Sequence, residues 1–327
     1  MNDDVVRTFQ TARVYRNNEK RINSLSFTTD GHKLLSSSDD GTLQIYDCIN
    51  GERAKVLNSL KYGVDLVRSV HSGMDTCLVA SKSETDHDLR YWDLHEHKFI
   101  RYFKGHKGPA LSLEVHPYED LFLSSGADGL AMLWDLRRPD PIARINGKGP
   151  CYSAFDQQGL IFAVSAGRQK VHLLDSKNYE AGEFASFDIA PYLNNPNVKI
   201  RGLKFTPDGK FLMVQTDNQR MLCMDAFDAQ LVREYYLPEA SAAPATITDI
   251  RGCPSMSISP DSQYLACGSD SGVVNVWNVA TGTHVKALEG HPNFPRQVAF
   301  SPTSALLATA CENLALWLPS KAEPVPN

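Results

Sequence analysis

The stretch GHKGPALSLEVHPYEDLFLSSGADGLAMLWD, residues 105–135, decides the fold of this 327-residue chain. It contains three apolar runs, at 110–117, 120–126 and 128–135, which are separated by turn-forming residues. Apolar residues alternate with polar ones in the first and third runs, as in strands that bury one face. Asp128-Gly129 is typical of the tight turn that joins two antiparallel strands. The stretch therefore predicts three consecutive short strands.

The ending of the third run recurs along the chain at steps of 40 to 53 residues. The seven endings are Tyr46-Asp47, Trp92-Asp93, Trp134-Asp135, Leu174-Asp175, Met224-Asp225, Trp277-Asn278 and Trp317-Leu318. This is the period of WD repeats, each of which forms one four-stranded blade. The sequence therefore predicts an all-β, seven-bladed WD-repeat β-propeller. The two longest steps predict insertions within 179–199 and 237–251.

The two ends of the chain predict how the ring closes. No fourth strand follows Trp317, and the residues from 319 to 327 form a short, proline-rich tail. A spare strand, VVRTF, is expected at 5–9, and it resembles FIRYF at 99–103, the fourth strand of blade 2. The sequence thus predicts a single domain over 1–327 in which strand 5–9 completes the last blade, leaving no open sheet edge.

The third repeat carries a His, a Ser, an Asp and a Trp at positions where propellers of this kind hold their turns by a buried hydrogen-bond chain. The expected members are His106, Ser124, Asp128 and Trp134. His, Ser and Asp also form hydrolase triads, but a nucleophilic serine needs an exposed, strained turn and a nearby oxyanion hole. Because Ser124 lies in an apolar strand, we expect the structural role and no catalytic residue.

Metal and cofactor sites are not expected. His95-Glu96-His97 offers two imidazoles, but it falls in a polar turn and no third ligand is indicated. No glycine-rich phosphate-binding motif is present in the sequence.

Charge and residue composition limit the classes of partner that the protein is expected to bind. With 38 acidic and 33 basic residues the formal charge is −5, whereas a surface that neutralises nucleic-acid phosphates is strongly basic. The seven cysteines are scattered and lack the spacing of zinc or redox motifs. No signal peptide or membrane-spanning run is apparent. We expect a soluble protein of the cytosol or nucleus whose partners are neither nucleic acids nor membranes.

Several stretches resemble a known family, the small WD-repeat subunit shared by COMPASS-type histone H3 lysine-4 methyltransferase complexes and by nuclear type-1 phosphatase and RNA 3′-end complexes. They are KYGVDL at 61–66, FIRYFKGH at 99–106, LWDLR at 133–137, GLIFA at 159–163, DAF at 225–227 and ACENLALWLP at 310–319. They fall in six of the seven repeats. The two insertions and the tail depart most from the family.

The resemblance implies a non-enzymatic scaffold in the nucleus, acting on chromatin and on transcription termination. Its implied partners are a SET-domain methyltransferase or a phosphatase-targeting scaffold, with RNA polymerase II as a further partner, and the chain would be a monomer within that complex. An adaptor in another assembly, such as a ubiquitin ligase or a trafficking coat, is the alternative, and a propeller enzyme is a third.

Partner binding is expected on the face where each fourth strand connects to the next first strand, together with the turns between second and third strands. Tyr62 and Asp65 carry most weight, because the fold alone explains the stretch YGVD at 62–65 least. Aromatic and arginine side chains are also the types that dominate the energetics of interfaces. The expected partner-binding residues are Arg21, Tyr62, Asp65, Arg68, Lys107, Arg251, Phe294 and Arg296.

Overall fold

Seven antiparallel sheets of four strands each make up the computed structural model, which describes residues 1–71, 75–237 and 255–320. Blade 1 contains β2 (Ile22–Phe27), β3 (Lys33–Ser38), β4 (Thr42–Asp47) and β5 (Glu52–Asn58). Blade 2 contains β6 (Val67–Ser69), β7 (Thr76–Ala80), β8 (Leu89–Asp93) and β9 (Lys98–Phe103). Blade 3 contains β10 (Ala110–Val115), β11 (Leu121–Gly126), β12 (Leu130–Asp135) and β13 (Ala143–Asn146).

The remaining blades follow the same order. Blade 4 contains β14 (Ser153–Phe155), β15 (Ile161–Ala166), β16 (Lys170–Asp175) and β17 (Glu183–Asp188). Blade 5 contains β18 (Ile200–Phe205), β19 (Phe211–Thr216), β20 (Arg220–Asp225) and β21 (Leu231–Tyr236). Blade 6 contains β22 (Met256–Ile258), β23 (Tyr264–Gly268), β24 (Val274–Asn278) and β25 (His284–Leu288). Blade 7 contains β26 (Gln297–Phe300), β27 (Leu307–Ala310), β28 (Leu314–Pro319) and, from the start of the chain, β1 (Phe9–Tyr15).

Seven blades confirm the predicted fold class. The first strands line a central channel, and apolar side chains of neighbouring blades pack between the sheets. In blade 3 the rings of Phe122 and Trp134 stack at 5.8 Å and are fully buried. Gly129, at φ +80°, supplies the left-handed residue that the Asp-Gly turn between β11 and β12 requires. Since the blades bury their sides against each other, only the loops and the outer strands face solvent.

The N-terminal strand closes the ring, but the prediction that it spans 5–9 was wrong. Residues Asp3–Arg7 form a short helix, α1, and the closing strand is β1, which pairs antiparallel with β28 from Phe9↔Pro319 to Tyr15↔Leu314. The Asn2 side chain accepts a hydrogen bond from the Val5 amide, and two aspartates occupy the first turn. This N-cap and these charges favour a helix over the strand that the apolar residues suggested.

The other predicted boundaries also differ in part. The stretch 179–199 is not all insertion, because it contains two 3-10 helices, Tyr179–Ala181 and Ala190–Tyr192, and between them β17, the fourth strand of blade 4. Pro319 belongs to β28, and not to a tail. Residues 238–251 of the second expected insertion and 321–327 of the tail lie outside the described residues. None of the described helices is long and apolar enough to cross a membrane.

Candidate functional site

We call the face where fourth-to-first-strand connections meet second-to-third-strand turns the upper face. Backbone hydrogen bonds join these loops, as from the Asp39 amide to the Arg21 carbonyl at 2.9 Å. Carboxylates in the turns accept from amides of the connections, as Asp128 does from Lys107 at 2.9 Å. The upper face is therefore a rigid platform around the mouth of the channel.

In blade 3 the structure brings together the four residues of the expected hydrogen-bond chain. The indole of Trp134 donates to the Ser124 hydroxyl at 2.8 Å, and that hydroxyl lies 2.7 Å from Nε2 of His106. Nδ1 of His106 lies 3.0 Å from the Asp128 carboxylate, which only accepts. The imidazole therefore donates from Nδ1 to Asp128 and accepts at Nε2 from Ser124, so every polar group in the chain is satisfied.

Electrostatics in this chain favour a charged Asp128. Burial alone would raise the pKa of Asp128, but hydrogen bonds from His106 and from the Lys107 amide outweigh it and lower the pKa. Ser124 is fully buried beneath the indole. A hydroxyl without access to solvent cannot attack a substrate carbonyl, so the geometry supports a structural chain.

Blade 7 holds a second chain of this kind, which the sequence analysis missed. Trp317 donates to the Thr309 hydroxyl at 2.7 Å, Thr309 lies 2.6 Å from Nε2 of His291, and Nδ1 of His291 lies 3.3 Å from the Cys311 sulfur. A thiol here replaces the turn carboxylate. Burial lowers the pKa of His291 to about 4, which leaves this imidazole neutral at physiological pH.

Among the described residues, blade 2 has no hydrogen-bond chain of this kind. A cluster around Arg90, which includes Tyr62, takes its place. The strand position of Ser124 is occupied by Val79, so the buried indole of Trp92 has no hydrogen-bond partner among the described residues. Instead, the buried guanidinium of Arg90 lies 3.8 Å from the Tyr62 ring centroid and 2.5 Å from Asp86. Tyr62, expected to be the main partner anchor, is thus already half-buried against its own blade.

A network of charged residues spans the upper face between blades 1 and 2. Asp39 accepts from Lys82 at 2.9 Å and from Asn23 at 2.7 Å, and it pairs with Arg21 at 3.4 Å. Burial raises the pKa of Asp39, but these donors outweigh it and lower that pKa. Lys82 also lies 3.7 Å from Asp65. Through Lys82 and Asp39, the network therefore connects Arg21 with Asp65, two of the predicted partner-binding residues.

Arg68 does not lie on the upper face, where it was predicted. It is the middle residue of β6, and since strand residues alternate between faces, Val67 points into the core while Arg68 points into the channel. There its guanidinium donates to the Ser24 hydroxyl at 3.0 Å and pairs with Glu114 at 3.3 Å. The channel has a volume of about 430 Å³.

The remaining predicted residues continue around the rim. The Arg296 guanidinium lies 5.4 Å from the Phe294 ring centroid, in the connection that leads into blade 7. Lys107 is exposed in the connection that leads into blade 3, and among the described residues only its backbone amide makes a hydrogen bond. Arg251 lies outside the described residues. The rim residues Phe294, Arg21, Tyr62 and Lys107 therefore belong to four consecutive blades, 7, 1, 2 and 3.

The His95-Glu96-His97 turn does not converge on one point. His95 is exposed, whereas the His97 ring stacks on Trp92 with their centroids 5.5 Å apart. Within 1–71, 75–237 and 255–320 no group of three His, Cys, Asp or Glu residues is placed to hold a metal ion. Burial raises the pKa of Cys151 to about 11. The Cys151 thiol is therefore protonated and packs as a small, largely apolar group.

Parts of the chain, residues 9–47, 97–135, 245–278 and 282–315, match the WD40 family model described as WD domain, G-beta repeat. The chain is 36% identical over 323 residues to WD repeat-containing protein 82 of Drosophila melanogaster, covering 98% of each. It is 36% identical over 252 residues to the Set1 complex component swd2 of Schizosaccharomyces pombe, covering 76% of this chain and 69% of swd2. It is 28% identical over 306 residues to the COMPASS component SWD2 of Saccharomyces cerevisiae, covering 91% and 90%. The chain therefore belongs to the WD-repeat family of WD repeat-containing protein 82 and swd2.

Proposed function

We propose that this chain is a non-enzymatic scaffold subunit of a nuclear chromatin and transcription complex. The observation that carries the proposal is the 36% identity to WD repeat-containing protein 82 across 98% of both chains. Two further relatives are named as components of the Set1 complex and of COMPASS. The sequence resemblance adds the partners: a SET-domain methyltransferase subunit or a phosphatase-targeting scaffold, with RNA polymerase II as a further partner.

We propose that the partner binds the upper rim over blades 7, 1, 2 and 3. This sector combines an exposed lysine, Lys107, with the Phe294–Arg296 stack and the charged network around Asp39. Aromatic and arginine side chains supply most of the energy at protein interfaces, and complementary charges fix the register of the partner. Tyr62 and Arg68 are less suitable anchors, because Arg90 and Glu114 already engage them.

The double variant Phe294→Ala with Lys107→Glu tests the rim. We expect it to reduce the recovery of a methyltransferase or phosphatase-targeting scaffold from nuclear extract at least about tenfold, with the melting temperature unchanged. The matched control is Phe227→Ala with Lys177→Glu, two exposed residues on lower-face turns of blades 5 and 4. Quantitative mass spectrometry of tagged full-length protein gives the readout.

The outcomes separate the two parts of the proposal. Equal recovery by both variants would show that the rim of these blades is not the binding surface. Recovery of only ubiquitin-ligase or trafficking subunits by the wild-type protein would contradict the chromatin role.

A further inference from the structure

A groove of about 400 Å³ lies on blade 7, beside the connection from blade 6. Its lining residues are Thr11, Val14, Arg16, Gly290, His291, Pro292, Asn313, Ala315 and Trp317. It follows the face of β1 and β28 that looks toward blade 6. The lower end of the same cleft is closed by α1, whose Val6 joins the core cluster that contains Trp317.

A single small residue opens this groove. The register of β27 with β28 places Ala315 opposite Thr309, and in blade 3 the equivalent pair is Met132 opposite Ser124. In blade 3 a Cβ on Gly105 would lie only 2.9 Å from the Met132 sulfur, so Met132 fills the space beside the Trp. In blade 7 a Cβ on Gly290 would meet only Trp317, at 3.8 Å.

None of the other blades leaves this position so small. The equivalent residues in blades 1 to 6 are Gln44, Arg90, Met132, His172, Leu222 and Asn275. The space over Trp317 is therefore a property of blade 7 and not of the repeat, and an apolar side chain about the size of the missing methionine side chain would fit there.

The groove carries one positive charge without a partner. Arg16 is exposed and makes no ion pair or hydrogen bond within the part of the chain that the structure describes. His291, the other basic residue of the lining, is neutral because burial lowers its pKa to about 4. Charge complementarity therefore favours a ligand with a negative group beside Arg16.

Strand geometry fixes the spacing between the two subsites. Val14 is the register partner of Ala315, and Arg16 lies two residues further along the chain, a distance of about 6.6 Å in an extended backbone. From Thr11 to Arg16 the groove is about 16 Å long, which is the length of about five extended residues. Its dimensions thus match a peptide segment in which an acidic residue follows an aliphatic one at a distance of two positions.

We propose that this blade 7 groove binds an extended peptide of a protein partner, with an aliphatic side chain over Ala315 and Trp317 and an Asp or Glu, two residues away, beside Arg16. The groove adjoins the blade 7 end of the upper-rim sector, because Pro292 and Phe294 lie in the same connection, but it does not depend on the proposed chromatin role. It gives the scaffold a second, smaller contact for a short linear segment.

A random peptide display library, selected on the full-length protein, tests the proposal. We expect the wild-type protein to enrich peptides with Leu, Ile or Met two positions from Asp or Glu. Arg16→Glu should replace the acidic residue by Lys or Arg in the enriched set, because the charge that selects it is reversed. Ala315→Met should enrich neither set, because it restores the side chain that fills this space in blade 3.

Arg13→Glu is the matched control on the same strand. Arg13 pairs with Leu316 in register and lies over Tyr15, so it is on the opposite face, toward blade 1. For a synthetic peptide of the enriched set, we expect about tenfold weaker binding to Arg16→Glu and unchanged binding to Arg13→Glu. If Ala315→Met does not fold, the peptides enriched by Arg16→Glu still test the proposal.

Three results would overturn the proposal. The first is that the wild-type protein enriches no peptides with an aliphatic and an acidic residue. The second is that Arg16→Glu or folded Ala315→Met enriches the same peptides as the wild-type protein. The third is self-association of the wild-type protein in sedimentation that Arg16→Glu abolishes, because the occupant would then be a second copy of this chain.

Discussion

His106 stabilises blade 3 through both of its ring nitrogens. Replacing it with Ala removes the acceptor of the Ser124 hydroxyl proton and one of the donors to the Asp128 carboxylate. We expect His106→Ala to lower the free energy of unfolding by about 1–3 kcal/mol. His95→Ala, in an exposed turn, is the control and should change it little. Chemical denaturation measures both, and equal effects of the two substitutions would argue against the buried chain.

His291 makes the free energy of unfolding depend on pH in the acidic range. Burial lowers its pKa to about 4, whereas the pKa of a histidine in the unfolded chain is about 6.5. Between these values the unfolded chain binds the proton and the folded chain does not, so stability falls as the pH decreases from about 6.5 to about 4. The upper limit of this loss is about 3 kcal/mol.

The variant His291→Gln isolates this contribution to stability. Carboxylates also titrate in acid, but they do so in both proteins, so the difference between the two pH profiles of the free energy of unfolding reports His291. We expect the profile of the variant to be flatter than that of the wild-type protein between pH 6.5 and 4. Parallel profiles would contradict a neutral, buried imidazole.

For single residues, the sequence predicts those that stand at the regular spacing of the repeat and misses those that do not. The members of the blade 3 chain were predicted because Asp128 and Trp134 stand at the expected separation. The blade 7 chain was missed because its turn is two residues shorter, so Thr309 precedes its Trp by eight residues, whereas Ser124 precedes Trp134 by ten. Only the strand register shows that Thr309 and Ser124 are equivalent.

Among the elements, α1 and β1 have different roles in closure, and two deletions separate them. Removing residues 1–8 takes away α1 and the buried Val6, and we expect a lower melting temperature with the protein still monomeric. Removing residues 1–15 also takes away β1 and exposes the edge of β28, so we expect aggregation. Light scattering and thermal melts measure the two effects. A monomeric 1–15 deletion with the wild-type melting temperature would refute closure by β1.

The elements were predictable where the repeat defines them and less so where it does not. The repeat itself indicated seven blades and a closing strand from the N-terminus. The position of that strand could not be read from its apolar residues, because Asn2 and two aspartates stabilise a helix first. The placement of Arg68 was wrong because Arg68 was assigned to the connection into blade 2, whereas it is the middle residue of the three-residue strand β6 and faces the channel.

For the whole molecule, the sequence predicts the architecture better than the partner. The family follows from identity along nearly the full chain, whereas the blade 7 groove follows from one small residue, Ala315, beside an exposed Arg16. Neither residue is unusual in the sequence alone. They become a candidate site only because β1, from one end of the chain, lies against β28, from the other.

The pairing of β1 with β28 also sets a minimum time for closure of the ring during synthesis. About 300 residues separate β1 from β28, and synthesis at 5–20 residues per second takes about 15–60 s to cover them. Throughout this interval β1 has left the ribosome without its partner, and its apolar Phe9 and Tyr15 are uncovered. The nascent chain must keep this strand from pairing with other chains until the seventh blade is complete. Synthesis of β28 is therefore the step that allows β1 to fold.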